Sequence, residues 1–301
     1  MLSLFRGVVA LSGYVANTLF CAPLVLLLGM VKLLPIPTLR RGCSILVDEI
    51  ATFWISVNNL NQRLLSRTQM ITHALPPLSP KQWYLVISNH QSWVDILLLQ
   101  RVFNRKIPFL KFFLKRELIF VPVLGLAWWA LDFPFMRRYS KAFLAKNPHL
   151  RGRDQATTRK ACEKFHHQPV SVMNFVEGTR FTPVKQQRQE SPFPNLLKPK
   201  VGGIALALDA MGGKLDTLLD VTIHYPHGIP TFWDYLCGRV PRVEVMVESH
   251  SLTEVNRWNY QKREERTVYQ SWLNQIWQQK AVKLASLTQS GPDSQQPDSK
   301  E

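Results

Sequence analysis

Acidic residues and cysteines are scarce in this chain. Its 301 residues include 21 Asp and Glu against 37 Lys and Arg, a net charge of +16. An excess of that size selects anionic partners: nucleic acid, phospholipid headgroups or an acidic carrier. The four cysteines, Cys21, Cys43, Cys162 and Cys237, form no Cys-x-x-Cys pair. This spacing argues against a zinc site and a disulfide framework and fits a reducing compartment. Several motifs are missing. Without Gly-x-x-x-x-Gly-Lys-Ser/Thr an NTPase is not expected. Without Gly-x-Ser-x-Gly a serine hydrolase with an acyl-enzyme is not expected. Gly202-Gly203 and Gly212-Gly213 do not build a dinucleotide fingerprint. Apolar residues reach 46% and charged residues only 19%, which excludes wholesale disorder.

What is present begins with an uncharged run from Val8 to Val31, 24 residues long. As a helix it would reach ~36 Å, enough for a hydrocarbon core of ~30 Å. No small-x-small site follows it, so a cleavable signal is not expected. Gly13, Pro23 and Gly29 interrupt it, which leaves open a broken, membrane-embedded helix beside a clean span, and a buried core helix beside both. Arg6 precedes the run, whereas Lys32, Arg40 and Arg41 follow it. Positive-inside asymmetry then places the body of the protein in the cytoplasm. Residues 44–66 carry apolar side chains at three- and four-residue spacing, from Ile45 and Leu46 to Leu60 and Leu64. They predict an amphipathic helix, interfacial or simply surface-lying.

From residue 80 onward, β-rich runs alternate with helical ones. Trp83–Ser88, Val170–Val176, Thr217–Tyr225 and Val243–Glu248 read as strands. Trp93–Arg101, Asp154–His167 and Gly203–Met211 read as helices. The alternation predicts an α/β fold, a mixed or parallel central sheet flanked by helices, behind an N-terminal membrane-embedded helical segment. Leu118–Leu131 is too short for a span and is expected to be buried or membrane-facing. Residues 255–285 read as one long helix and the last 16 residues, 286–301, as a disordered tail. The expected division is 1–70, membrane-associated helices; 71–285, the α/β domain with its C-terminal helix; and the tail.

Two segments carry candidate chemistry. In Ser88-Asn89-His90-Gln91-Ser92-Trp93-Val94-Asp95 a strand ends, a polar loop follows and a helix begins. A histidine there can face a cleft and take a proton near neutral pH. Asp95 in the first helical turn can fold back onto it and fix its tautomer. Ser92-x-x-Asp95 is also a capping-box pattern, so Asp95 could serve the helix terminus alone. The second segment is Asn174-Phe175-Val176-Glu177-Gly178-Thr179-Arg180. Gly178 permits a tight turn, and Arg180 offers a planar fork for a phosphate. Glu177 could anchor that fork; a solvated surface turn is the alternative. The adjacent His166-His167 point in different directions on a helix and read as solvated rather than as metal ligands.

His-x4-Asp after one strand, with Glu-Gly-Thr-Arg about 80 residues later after another, resembles the glycerolipid, or lysophosphatidic acid, acyltransferases. Lys115-Arg116-Glu117-Leu118…Pro122…Gly125 resembles a third block of that family, with Arg137 or Arg138 as its closing arginine. Val221-Thr222-Ile223-His224-Tyr225-Pro226 resembles a fourth. The resemblance covers about Lys81 to Val247 and is greatest to bacterial inner-membrane members. It implies transfer of a fatty acyl group from acyl-CoA or acyl carrier protein to the hydroxyl of a lysophospholipid, lysophosphatidic acid foremost. His90 would be the general base, oriented by Asp95. Arg180, Lys115 and Arg137 or Arg138 would hold the acceptor phosphate, and Glu177, Gly178 and Thr179 would shape that pocket. Neither a metal nor a resident cofactor is expected, and nucleic acid is not an expected partner. A non-catalytic membrane protein that binds anionic lipid is the reading from another class.

Overall fold

The structure, a computed structural model, describes residues 1–136, 162, 165, 168–260 and 262–289. Arg137, Arg138, His166, His167, almost all of the helix expected over 154–167, and residues 290–301 lie outside the described residues.

Two long helices open the chain, α1 (Leu2–Val31) and α2 (Pro37–Leu65). A six-stranded sheet follows, in the order β1-β8-β7-β2-β6-β3. Its strands are β1 (Gln69–Thr72), β2 (Tyr84–Ser88), β3 (Leu110–Phe112), β6 (Ser171–Asn174), β7 (Thr217–His224) and β8 (Arg242–Ser251). Every pairing is parallel except β7 with β8. Two short strands, β4 (Leu114–Lys115) and β5 (Phe135–Met136), pair beside it. The helices around the sheet are α3 (Val94–Phe103), α4 (Leu124–Ala130), α5 (Pro183–Gln189), α6 (Gly202–Met211), α7 (Phe232–Leu236) and α8 (Arg263–Gln289). The mixed α/β architecture is therefore the expected one.

The strands earn their positions by burial. All five residues of β2 are buried, as a central strand covered on both faces requires. Leu85 and Ile87 pack with α6 and α8 on one face, against Ile204, Leu208, Leu273 and Trp277. Tyr84 and Val86 pack on the other, with Leu98 and Leu99 of α3, Ala10 and Tyr14 of α1, and Tyr235 of α7. β3, β4 and β5, at two or three residues, are too short for the alternation to have marked them, and the four-residue edge strand β1 was not expected either.

Pro23 lies inside α1, yet the helix is continuous from Leu2 to Val31. The core-helix alternative does not hold. Leu19, Phe20, Leu27 and Met30 are between 56% and 64% exposed, while Gly7, Ala10, Asn17, Cys21 and Gly29 are buried. In α2 the apolar stripe also faces outward: Ile45, Leu46, Leu60 and Leu64 are exposed, and Cys43, Ala51, Asn58, Asn59 and Gln62 are buried. The two helices are joined by polar side chains. Asn17 Nδ2 donates to Asn58 Oδ1 at 2.9 Å, and Trp54 Nε1 donates to Thr18 Oγ1 at 3.0 Å. Gln62 then links the hairpin to the domain, donating to Tyr14 OH and accepting from Tyr235 OH, both at 2.8 Å. The buried Lys111 Nζ on β3 donates to Asp48 Oδ1 of α2 at 2.8 Å.

The segment 118–131 is partly a 3-10 turn (Arg116–Phe120) and partly α4. Gly125 closes that turn, since a Cβ there would lie 2.1 Å from the Ile119 carbonyl oxygen. Residues 255–285 are not one helix. Val255–Arg257 form a 3-10 turn, Trp258 turns extended, and α8 starts at Arg263. The break lets the Trp258 ring fold back edge-on to Tyr269 and Trp272. α8 then runs on to Gln289, so 286–289, expected in the disordered tail, are helical.

Candidate active site

His90 and Glu177 lie just beyond the carboxyl ends of β2 and β6, paired parallel strands at the centre of the sheet. Ligands of open α/β sheets bind at that end. The loop after β2 is fixed to its neighbours by backbone-mimicking bonds. The buried Asn89 side chain donates to the Ile223 carbonyl at 2.8 Å and accepts from the Ile223 N–H at 2.9 Å. It thus extends the β2–β7 ladder by one residue. The His90 N–H donates to Glu177 Oε2 at 3.3 Å, and the His90 carbonyl accepts from the Phe181 N–H at 2.7 Å. These two bonds clamp the Glu-Gly-Thr-Arg turn against the histidine. Gly178, at φ +72°, provides the left-handed residue the turn needs.

The His90 Nδ1–H donates to Asp95 Oδ2 at 2.8 Å, which leaves Nε2 as the nitrogen free to take a proton. Asp95 is fully buried. Its Oδ2 also accepts from the Gln91 and Ser92 N–H groups at 2.6 and 2.9 Å, and its Oδ1 from Tyr225 OH at 2.5 Å. The capping reading is half met. Asp95 holds the Ser92 N–H, but Ser92 Oγ accepts from Val94 N–H and donates to the Pro230 carbonyl at 2.6 Å. One carboxylate therefore caps the turn and orients the imidazole. Phe175 stacks on the His90 ring at 3.9 Å between centroids, and Phe112 lies beyond Phe175 at 6.2 Å.

Beside this pair, the exposed Arg180 guanidinium lies 4.9 Å from the Trp93 ring centre. Thr179 Oγ1 and the Arg180 carbonyl both accept from Lys185 Nζ at 2.9 Å, which adds a second cation to the turn. Lys115 is described in its backbone, paired with Met136 across β4 and β5. Glu177 is fully buried, and Leu197 N–H donates to its Oε1 at 3.1 Å. Burial pushes its carboxyl up to about 8, against the pull of those two N–H groups and of Lys280. Burial and the adjacent Asp95 hold the Tyr225 hydroxyl well above its ordinary value, so it stays a donor.

An apolar cavity of about 370 Å³ runs between α1, α2, α3 and α4. Tyr14, Val25, Trp54, Trp128 and Phe133 line it, and Phe112 ties its wall to the Phe175–His90 stack.

Sequence reasoning found His90, Asp95, Glu177, Gly178, Thr179 and Arg180, and the fold brings all six together. It missed Tyr225, Asn89, Phe175 and Lys185 as parts of the site. Tyr225 carried a signal as part of the Val221–Pro226 segment.

The chain is similar to known proteins. The family model described as Acyltransferase matches residues 67–229. The probable 1-acyl-sn-glycerol-3-phosphate acyltransferase 5 of Arabidopsis thaliana is 29% identical over 185 residues, 57% of this chain and 46% of that protein. The 1-acyl-sn-glycerol-3-phosphate acyltransferase gamma of Mus musculus is 23% identical over 224 residues, 70% of this chain and 55% of that protein. The chain spans about half the length of the curated relatives it matches. The crystal structure of the 1-acyl-sn-glycerophosphate acyltransferase PlsC from Thermotoga maritima superposes with a TM-score of 0.51 at 16% identity, over 93% of this chain and 98% of that one. It shares the fold. With the family model covering more than half of its length, the chain belongs to the Acyltransferase family.

Proposed function

We propose that this protein transfers a fatty acyl group from a thioester to the free hydroxyl of a lysophospholipid, lysophosphatidic acid first, giving phosphatidic acid. The observation that carries the reading is the Asp95–His90 pair, held at the sheet's carboxyl end between an exposed arginine and an apolar cavity. His90 Nε2 takes the hydroxyl proton as the oxygen attacks the thioester carbonyl. The C–S bond then breaks, and the leaving thiolate takes the proton back. Asp95, bonded to the His90 Nδ1–H, stabilises the imidazolium between the two steps. No covalent acyl-enzyme is needed, because the donor is already activated. Arg180 holds the acceptor phosphate with Lys115 and with Arg137 or Arg138, and Glu177, Gly178 and Thr179 shape its pocket. The cavity beside Phe112 receives an acyl chain.

The donor is acyl-CoA or acyl carrier protein, both anionic and suited to a chain of net charge +16. The protein acts at a lipid surface. α1, alone among the described helices, is long and apolar enough to cross a membrane. It also packs along the domain over its length, from Gly7 beside Trp233 and Cys237 to Gly29 beside Ala130. That placement favours a hairpin embedded in one leaflet. From the charge asymmetry of Arg6 against Lys32, Arg40 and Arg41 we put the site on the cytoplasmic side of a bacterial inner membrane. Purified full-length protein, given a panel of lysophospholipids with both thioester donors, tests the reading. Phosphatidic acid formed from lysophosphatidic acid supports it. Tight lipid binding with no transfer from any donor overturns it in favour of a lipid-binding protein.

A further inference from the structure

Tyr225 directly follows β7 and is buried in the apolar cluster that also holds Leu98, Ile223 and Tyr235. Its backbone is fixed on both sides. Two residues earlier, both backbone groups of Ile223 are bonded to the Asn89 side chain, at 2.8 and 2.9 Å. Three residues later, the Gly228 N–H donates to the Tyr225 carbonyl at 3.2 Å, in a turn where Gly228 takes φ +93°. From this fixed base the hydroxyl reaches Asp95 Oδ1 at 2.5 Å. The two oxygens of Asp95 are unequally served. Oδ2 accepts from the His90 Nδ1–H and from the Gln91 and Ser92 N–H groups. Among the described residues, Tyr225 OH is the one donor to Oδ1. Asp95 is fully buried, so solvent is not at hand to replace that donor.

We infer that Tyr225 is a positioning residue for the His90 base: its hydroxyl holds the Asp95 carboxylate at the angle that meets Nδ1 and takes up part of the carboxylate's charge. With Oδ1 pinned, the carboxylate cannot swing about its Cβ–Cγ bond, and Oδ2 stays on the imidazole. A misplacement of that kind is costly in a base even where the substrate still binds. The second effect is electronic. A donor on a buried carboxylate weakens its pull on a neighbouring cation, so Tyr225 restrains how strongly Asp95 favours the imidazolium. The titratable groups around this set are His90 after β2, Glu177 after β6, which accepts the His90 N–H, and Tyr235 of α7, beside Tyr225. Because the hydroxyl gives its proton to Asp95, it is not free to donate to the reacting carbonyl. Tyr235 provides the comparison within the same cluster. Its buried hydroxyl donates to Gln62 Oε1 of α2 at 2.8 Å rather than to Asp95.

The inference rests on the acyltransferase reading, which wild-type turnover in the same assay tests separately. Full-length wild-type, Tyr225→Phe and Tyr235→Phe proteins are compared for kcat, acceptor KM and the acidic limb of kcat/KM, with melting temperatures alongside. Each substitution keeps the buried ring and removes one hydroxyl. Tyr225→Phe should lower kcat about 10-fold or more, the size of a hydrogen bond to a charged group. Its KM should stay within about twofold of wild type, since the lost contact serves the base rather than the acceptor. Its acidic limb should move up by roughly half a pH unit, because the bare carboxylate favours the imidazolium more strongly. Tyr235→Phe should lower the melting temperature and leave kcat and the limb at wild-type values. In an Asp95→Ala background Tyr225→Phe should cost nothing further, since no carboxylate remains to be held. Wild-type kcat and an unmoved limb in Tyr225→Phe overturn the inference, and so does an equal loss of kcat in Tyr235→Phe. Should Tyr225→Phe also lose stability, an unmoved limb, or a further loss of kcat in the Asp95→Ala background, overturns it.

Discussion

β2 and β7 bury Tyr84, Val86, Leu219 and Ile223, with Asp220 of β7 buried against Lys280, whereas α1 buries Gly7, Ala10, Asn17 and Cys21 and turns Leu19, Phe20 and Leu27 outward. Both regions hold buried polar groups in hydrogen bonds, the sheet domain around Asp95 and the hairpin through Asn17–Asn58 and Gln62–Tyr14. They differ in the solvent they are built for. Apolar exposure on this scale destabilises a helix in water and stabilises it in lipid. The candidate site lies where the two regions meet, since the apolar cavity has one wall from α1 and α2 and another from Phe112 next to the His90 stack.

The difference can be broken from either side. The largest effect is expected on the sheet side. Asp95→Asn should lower kcat on the order of 100- to 10,000-fold, because the amide favours the wrong tautomer of His90. Steady-state rates of a variant with wild-type secondary structure check this. A melting-temperature loss with activity retained would leave Asp95 only its capping role.

On the hairpin side, Leu19→Asp with Phe20→Asp should drive the protein off membranes. Each buried carboxylate costs up to ~3 kcal/mol at depth. Val184 of α5 is 74% exposed, so Val184→Asp should change nothing. Partition after a high-salt wash reads both, and equal behaviour of the two variants would mean the hairpin faces water.

Arg180→Ala should raise KM for a phosphorylated acceptor about 10-fold, the loss of one charge-assisted contact of roughly 1.5 kcal/mol. An acceptor lacking the phosphate should show little extra penalty. Equal penalties on both would take Arg180 out of the phosphate pocket.

The smallest effect is a pH dependence of stability. The Glu177 carboxyl lies at about 8 in the folded chain against an ordinary 4.5. Between those values the folded protein keeps a proton that the unfolded chain has lost, so stability falls as pH rises across that window. Glu177→Gln should flatten the decline, and melting temperatures at pH 5 and pH 8 measure it.

Much of this was legible in the sequence. β2, β6, β7 and β8 announced themselves by β-rich runs, and His90, Asp95 and Arg180 by residue type at a strand end. Residues whose role depends on distant partners were not legible. Tyr225 and Asp95 are 130 positions apart, and Asn89 meets Ile223 across 134, separations no local pattern encodes. Lys280 is fully buried on α8, and burial of a lysine leaves no mark on its neighbours in sequence. The stripe on α2 was seen correctly as apolar, but periodicity cannot tell which medium such a stripe faces.

The most direct test is acyl transfer from acyl-CoA to lysophosphatidic acid in vesicles, by wild-type protein and by His90→Ala protein of matched folding and membrane content. Wild-type protein should form phosphatidic acid, and the variant should be slower by about 100- to 10,000-fold. Near-normal turnover by His90→Ala would contradict the assignment of His90 as the base.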